Sequence, residues 1–189
     1  MKMRKVLSAL LVAACTLSLA ACGSSSSKSE TTGASGETAA GSANTAKVID
    51  VDLTSEEYAF GVDKTQPELL EQTNTFIQKI KDDGTLDAIC AKYFGDGEPE
   101  AVESAELDSS KDQLVVATNA AFEPFEYTKG DQYYGIDMEI AKLLADELGK
   151  ELVIQNMDFD AVCLSVSQQK CDIAMAGLTI NEERQEYVT

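Results

Sequence analysis

The 189-residue chain carries 33 acidic against 15 basic side chains, a formal charge of -18, and no histidine. That balance excludes nucleic-acid binding, which needs a basic patch. The missing imidazole excludes a Ser–His or Cys–His nucleophile pair and, with no C-x-x-C motif, argues against a zinc site.

Residues 1–22 read as a processing segment: a basic start (Lys2 to Lys5) precedes an apolar run from Val6 to Ala21 that is short for a membrane span. The run ends Leu19-Ala20-Ala21-Cys22, which resembles a bacterial lipobox in which cleavage leaves Cys22 as the lipidated first residue. A plain signal peptide with an incidental cysteine is the competing reading. Loss of Lys2, Arg4 and Lys5 with the leader takes the formal charge from -18 to -21. Gly23 to Ala46 is Gly/Ser/Thr/Ala-rich and cannot bury a core, so residues 23–46 read as a flexible tether. Of the five cysteines, Cys15 leaves with the leader and Cys22 takes the lipid; Cys90, Cys163 and Cys171 remain, enough for one disulfide at most. Their apolar contexts favour small buried hydrophobes.

Val48 to Leu53 and Tyr58 to Val62 read as short extended segments. Thr65, Pro67 and Glu68 form a capping-box pattern, with Thr65 as N-cap of a helix whose inward face is Leu69, Leu70, Thr73, Phe76, Ile77 and Ile80. Gly84 ends it. Thr85 caps a second helix with Leu86, Ile89, Cys90 and Phe94 inward, and Gly95 stops it. Residues 97–112 are acidic and aperiodic, a connecting linker. From Leu114 onward strand and helix alternate. Leu114 to Thr118 is a buried strand, and Asn119 to Tyr127 a loop rich in aromatics. Lys129-Gly130-Asp131 is a turn. Asp137 caps a helix facing inward with Ile140, Ala141, Leu144 and Leu148 and closed by Gly149. Leu152 to Ile154 is a strand, Ala161 to Gln168 a helix, and Cys171 to Ala176 a third strand ending at Gly177. The β-α-β-α-β order predicts an α/β fold with a parallel-dominated sheet flanked by helices, the first two helices covering the same sheet.

Parallel α/β sheets bind ligands at the carboxyl ends of their strands. Three loops meet there: Asn119 to Phe125, Met157 to Asp160 and Gly177 to Arg184. Phe122 and Phe159 offer an aromatic wall, Thr179 a hydroxyl, Gly177 close backbone approach, and Arg184 a planar fork of donors for a carboxylate. Competing readings are core or rim packing for the two phenylalanines and a solvated ion pair with Glu182, Glu183 or Glu186 for Arg184. No Gly-rich phosphate loop is present, so an aromatic wall with a carboxylate clamp suits a small zwitterion.

The run Val116-Ala117-Thr118-Asn119-Ala120-Ala121-Phe122-Glu123-Pro124-Phe125-Glu126-Tyr127, followed by Tyr134-Gly135-Ile136-Asp137, Met157-Asp158-Phe159, Ala176-Gly177-Leu178-Thr179 and Glu183-Arg184, resembles the start of family 3 solute-binding proteins, the amino-acid receptors of ABC importers. The glutamine-binding branch is the likeness within that family. The resemblance implies one lobe of a Venus-flytrap (periplasmic-binding-protein type 2) fold. It implies that Arg184 grips the ligand α-carboxylate with Thr179, that the Gly177 carbonyl takes the ammonium, and that Phe122 and Phe159 sandwich the ligand. Asn119 stands where the glutamine branch has Asp, and Asn181 where the family has Thr. Leu53 to Val62, with the helices through Gly95, resembles the family's C-terminal end but precedes the N-terminal part. The order therefore looks circularly permuted: residues 47–96 carry the old C-terminal end, 97–112 join the old termini, and 113–189 form the N-terminal-like part of the ligand-binding lobe. Family members continue past Thr189 into a second lobe, so the expectation is a fragment of a longer receptor, with a lone lobe as the other possibility.

The function so implied is an extracytoplasmic solute-binding lipoprotein, lipid-anchored at the outer face of the cell membrane. It captures a polar, glutamine-like L-amino acid and passes it to ABC permease subunits, with no cofactor and no catalytic residue. Alternatives are a dehydratase of the same fold acting on amino-acid precursors, a non-binding single lobe, and a ligand sensor coupled to a signalling partner.

Overall fold

The computed structural model describes residues 50–51 and 55–189. The leader, Cys22, the tether and most of the expected extended segment Val48 to Leu53 lie outside the described residues. The elements run β1 (Tyr58–Val62), α1 (Pro67–Asp82), α2 (Thr85–Phe94), β2 (Gln113–Thr118), β3 (Ala121–Phe122), β4 (Glu126–Lys129), β5 (Gln132–Tyr134), α3 (Ile136–Leu148), β6 (Glu151–Asn156), α4 (Phe159–Ser167), β7 (Ile173–Thr179) and α5 (Glu182–Tyr187). The main sheet has the order β1-β7-β2-β6. β2 pairs in parallel with both β6 and β7, and β1 closes the edge antiparallel to β7 with a register shift between Ala59 and Gly61. The fold is therefore α/β with a parallel-dominated sheet flanked by helices.

Strand alternation divides the core in two. Leu114 and Val116 of β2 and Ile173 and Met175 of β7 face one cluster, shared with Phe76, Ile80, Ile89, Met138 and Leu144 from α1, α2 and α3. Ala117, Ala174 and Ala176 face the other, under Val162 and Val166 of α4. The small residues on the second face let α4 lie close to the sheet. A polar tie joins α2 to α3: Tyr93 donates to Glu139 at 2.8 Å, Lys92 pairs with the same carboxylate at 2.7 Å, and the Gly135 amide donates to the Tyr93 oxygen at 3.0 Å.

Four local expectations are corrected. The capping box does not form: the N-cap of α1 is Gln66 with no side-chain cap bond. Thr65 instead donates from its amide (2.6 Å) and hydroxyl to the Asp63 carboxylate, a local turn that competes with capping. Thr85 is the first residue of α2, whose N-cap is Gly84. Phe94, expected inward, is 66 % exposed, its ring edge-on to Phe125 with centroids 6.2 Å apart. The aromatic loop after β2 is a small second sheet, β3-β4-β5, whose strands are too short to show a period in sequence.

The acidic linker has no regular structure but is stitched down. Val102 is buried and bridges Tyr133, the Ala105 amide donates to Leu152 at 2.9 Å, and the Ser104 hydroxyl accepts from the Ile154 amide at 2.8 Å. Cys90, Cys163 and Cys171 are all free thiols, raised by burial above the usual thiol range.

The burial contrast along the first two helices is directly measurable. Phe76→Ala is expected to destabilise the protein by about 3–5 kcal/mol, the usual loss for a buried ring, and Phe94→Ala by less than about 1 kcal/mol. Urea unfolding of the two variants compares them.

Candidate functional site

All six side chains and backbone positions singled out from sequence, Asn119, Phe122, Phe159, Gly177, Thr179 and Arg184, line one cavity of about 360 Å3 at the carboxyl ends of β2, β6 and β7. Each is placed by a local cause. Asn119 follows β2, and its amide donates to the Met157 carbonyl at 2.7 Å, tying the loop after β2 to the loop after β6. Phe159 opens α4 rather than ending a loop, and is 40 % exposed. Phe122, 45 % exposed, stacks on Phe125 with ring centroids 5.4 Å apart. Phe125 in turn meets Tyr58 edge-on at 4.9 Å, so one inner ring sets the poses of two cavity rings.

Arg184 is held by three contacts. The Asn181 side chain accepts from its amide at 2.8 Å, so this Asn caps α5 as a Thr would. One guanidinium nitrogen donates to the Thr179 carbonyl at 2.6 Å. The guanidinium carbon sits 5.1 Å from the centre of the Phe159 ring. Among the described residues Arg184 forms no ion pair within 4.0 Å, and Glu182, Glu183 and Glu186 leave it alone. Among the described residues its guanidinium makes no other hydrogen bond.

Gly177 does not end the strand; β7 runs on to Thr179. Its φ of +51° is a left-handed conformation, and an added Cβ would lie 2.9 Å from a Phe122 ring carbon. The space left by the missing side chain is therefore taken by the Phe122 ring.

Two features of the cavity lining, and one carboxyl bonded to it, escaped the sequence reading. Tyr58 and Glu56 reach the cavity from the β1 side. Glu126, at the start of β4, is 1 % exposed, and its Oε2 is buried with no hydrogen-bond partner among the described residues. Asp137, read as a helix cap, is buried and accepts the Gly177 amide at 2.9 Å instead. The reason is geometric. The first amides of α3 donate to chain carbonyls, Ile136 to Pro124 at 3.1 Å and Asp137 to Phe125 at 2.9 Å, so no side-chain cap is needed. That approach requires Gly135, where a Cβ would fall 2.0 Å from the Phe125 oxygen. Burial, and then the neighbouring Asp137 charge, push the Glu126 carboxyl up to about 9. Burial pushes Asp137 up to about 6, and the Gly177 amide pulls against that rise. The signal in sequence was Phe125-Glu126-Tyr127, a carboxylate at an alternating strand position between rings. Among the described residues no cluster of three or more His, Cys, Asp or Glu side chains is arranged to hold a metal ion. No helix there is long and apolar enough to cross a membrane.

Residues 114–189 match the profile of bacterial extracellular solute-binding proteins, family 3. The chain is similar to the arginine-binding extracellular protein ArtP of Bacillus subtilis (strain 168), 37 % identical over 81 residues, covering 43 % of this chain and 32 % of ArtP. It is also similar to the probable ABC transporter arginine-binding protein ArtJ of Chlamydia trachomatis, 33 % identical over 78 residues, 41 % of this chain and 30 % of that one. A third likeness is the cyclohexadienyl dehydratase of Pseudomonas aeruginosa, 38 % identical over 73 residues, 38 % of this chain and 27 % of the enzyme. Among solved structures, the arginine-bound form of domain 1 from TmArgBP is 37 % identical with a TM-score of 0.39, over 43 % of this chain and 67 % of that one. The chain thus spans about a third of the length of the curated relatives it matches.

Two outcomes test the geometry. Gly177→Ala puts a side chain where φ is positive and against the Phe122 ring, so a loss of about 1–3 kcal/mol is expected by denaturant unfolding. Glu126 and Asp137 both hold protons more tightly folded than unfolded, so their contribution to stability is full below about pH 4 and is lost as pH rises through about 6 and then about 9. The melting temperature of Glu126→Gln is therefore expected to fall less between pH 5 and pH 9 than that of the parent protein, by scanning calorimetry.

Proposed function

We propose that this chain, whose residues 114–189 match the bacterial extracellular solute-binding proteins, family 3, supplies the carboxylate-gripping face of a receptor that delivers an amino acid to an ABC importer. The observation that carries the reading is Arg184: a guanidinium fixed by the Thr179 carbonyl and the Phe159 ring, in one cavity with five other side chains and backbone positions of complementary chemistry. Arg184 and Thr179 take the α-carboxylate, the Gly177 carbonyl takes the α-ammonium, and Phe122 and Phe159 cover the ligand's apolar stem. Asn119 faces the ligand side chain while its own amide is anchored on Met157.

The ligand is a polar L-amino acid. A glutamine-like side chain follows from the branch that the motifs resemble; the names of the similar proteins point to arginine instead. Residues 47–96 and 113–189 form a permuted lobe, joined by the acidic segment 97–112. β1 pairs with β7, and α1 packs with the same sheet cluster as α3, which is what such a lobe requires. Cys22 carries the lipid that holds the receptor at the outer face of the membrane beside its permease. Closure of a two-lobed receptor would desolvate the ligand charges and strengthen each contact.

One observation favours a second reading, an enzyme on the same fold. A carboxyl raised to about 9 at a cavity wall is poised as a proton donor, and a dehydratase is among the similar proteins. Turnover of a cyclohexadienyl substrate would establish it.

Arg184→Ala is expected to weaken amino-acid binding at least 30-fold, about 2 kcal/mol, with the circular dichroism spectrum unchanged. Arg184→Lys recovers only part, because an ammonium cannot reproduce the planar fork. Isothermal titration calorimetry with L-glutamine and L-arginine measures both, and full affinity in Arg184→Ala would remove Arg184 from the site.

A further inference from the structure

A second cavity, of about 300 Å3, lies between β1 and the helices α1, α2 and α3, on the sheet face away from α4. That is the low end of the range for small-molecule sites, about 300–1,000 Å3. It is separate from the cavity at the strand ends: among the described residues Tyr58 alone lines both. Ile77 on α1, Leu86 on α2 and Ile140 on α3 give it aliphatic walls. Phe125 and Phe94 add two rings set edge-on. One charged group stands in this apolar lining, Asp137 from the first turn of α3, and it is 5 % exposed. Its Oδ2 accepts the Gly177 amide at 2.9 Å. Among the described residues the carboxylate takes no other donor and forms no ion pair. No neighbouring element brings it a cation. The lining holds no lysine or arginine, and Lys92 of α2 is committed to Glu139. Burial raises Glu126 on β4, Tyr58 on β1 and Cys90 on α2 above their ordinary ranges, so each is neutral at pH 8, whereas Asp137, pushed up to about 6, is ionised there. A buried carboxylate with one neutral donor gains most from a cation that also brings apolar surface to fill the space beside it. The faces of the surrounding rings favour the same charge.

We propose that this cavity is a binding site for a small apolar monoamine, its ammonium on the other carboxylate oxygen of Asp137 and its hydrocarbon body among Phe94, Leu86 and Ile140. One acid in an otherwise apolar lining selects that class. A neutral hydrocarbon fills the space and leaves the charge unpaired. An amino acid brings a carboxylate of its own into a cavity that has no cation to meet it. A monoamine satisfies the acid and the apolar walls together. The site stands apart from the amino-acid reading given above, and its test does not pass through it.

Methyl NMR spectra of the protein, titrated at pH 8 with benzylamine and with benzyl alcohol as its neutral counterpart, test the proposal. Benzylamine is expected to shift the methyl signals of Ile77, Leu86 and Ile140, to leave those of Ala121 and Ala176 at the strand-end cavity in place, and to bind about tenfold or more tighter than the alcohol. In Asp137→Asn that preference is expected to fall to about twofold or less. Phe94→Ala, at an exposed position, is expected to weaken benzylamine about threefold or more while signals remote from the cavity stay where they are. Equal affinity for the two compounds in the parent protein would overturn the proposal. So would shifts confined to Ala121 and Ala176, no shift at any methyl, or a preference for the amine that survives in Asp137→Asn. If Asp137→Asn does not fold, the parent comparison and Phe94→Ala decide.

Discussion

The Gly177 amide donates to an Asp137 carboxylate oxygen across 2.9 Å, and three elements take their places from that bond. It joins the middle of β7 to the first turn of α3. It satisfies a half-buried amide at the point where the strand adopts φ of +51°, and it gives a buried carboxyl a donor that makes its burial tolerable. Because the backbone is turned there and bears no side chain, the Phe122 ring can lie against it. Glu126 stands next to the same pair and is denied a donor of its own. A rigid peptide, an aromatic wall and a proton-holding carboxyl are therefore consequences of one backbone position, which is why a change there reaches both stability and the cavity.

The sheet order supplies the rest of the arrangement. With β7 between β1 and β2, the strand that carries Gly177 and Thr179 is interior, covered on one face by α1, α2 and α3 and on the other by α4. Its carboxyl end alone opens to the surface, and the loops after β2 and β6 end alongside it. Arg184 comes from a six-residue helix too short to be rigid unaided; the Asn181 cap and the Thr179 carbonyl fix it. The guanidinium is thus held in place by the chain's own contacts, and on the proposed reading that lowers the ordering cost of binding.

Much of this was legible in the sequence. The alternation of apolar runs with amphipathic helices marked the α/β class, and the strand-end logic brought six positions to one cavity, because parallel topology leaves a single edge where such loops can meet. What was not legible has physical causes. The β3-β4-β5 sheet is built of strands of two to four residues, too short for a period. Asp137 fits the pattern of a helix cap, and only the three-dimensional approach of Pro124 and Phe125 shows that its side chain is free to turn inward. Glu126 was quoted inside a motif but given no task, since burial of a carboxylate is invisible in one dimension. Thr65 was misassigned because the Asp63 carboxylate, two residues earlier, is the better acceptor for its donors.

The edge strand β1 carries a further consequence, for the order in which the chain can fold. Val62 pairs with Ile173, and Val62 and Thr189 exchange both backbone bonds at 2.9 Å. β1 therefore leaves the ribosome more than a hundred residues before the partners that complete it, roughly 5–20 s at common synthesis rates. Until β7 exists, β1 has no strand to join in this sheet, and the apolar faces of α1 and α2 have only β2 and β6 to cover. Pairings of such long sequence separation are slow to form, because loop closure precedes the contacts that reward it.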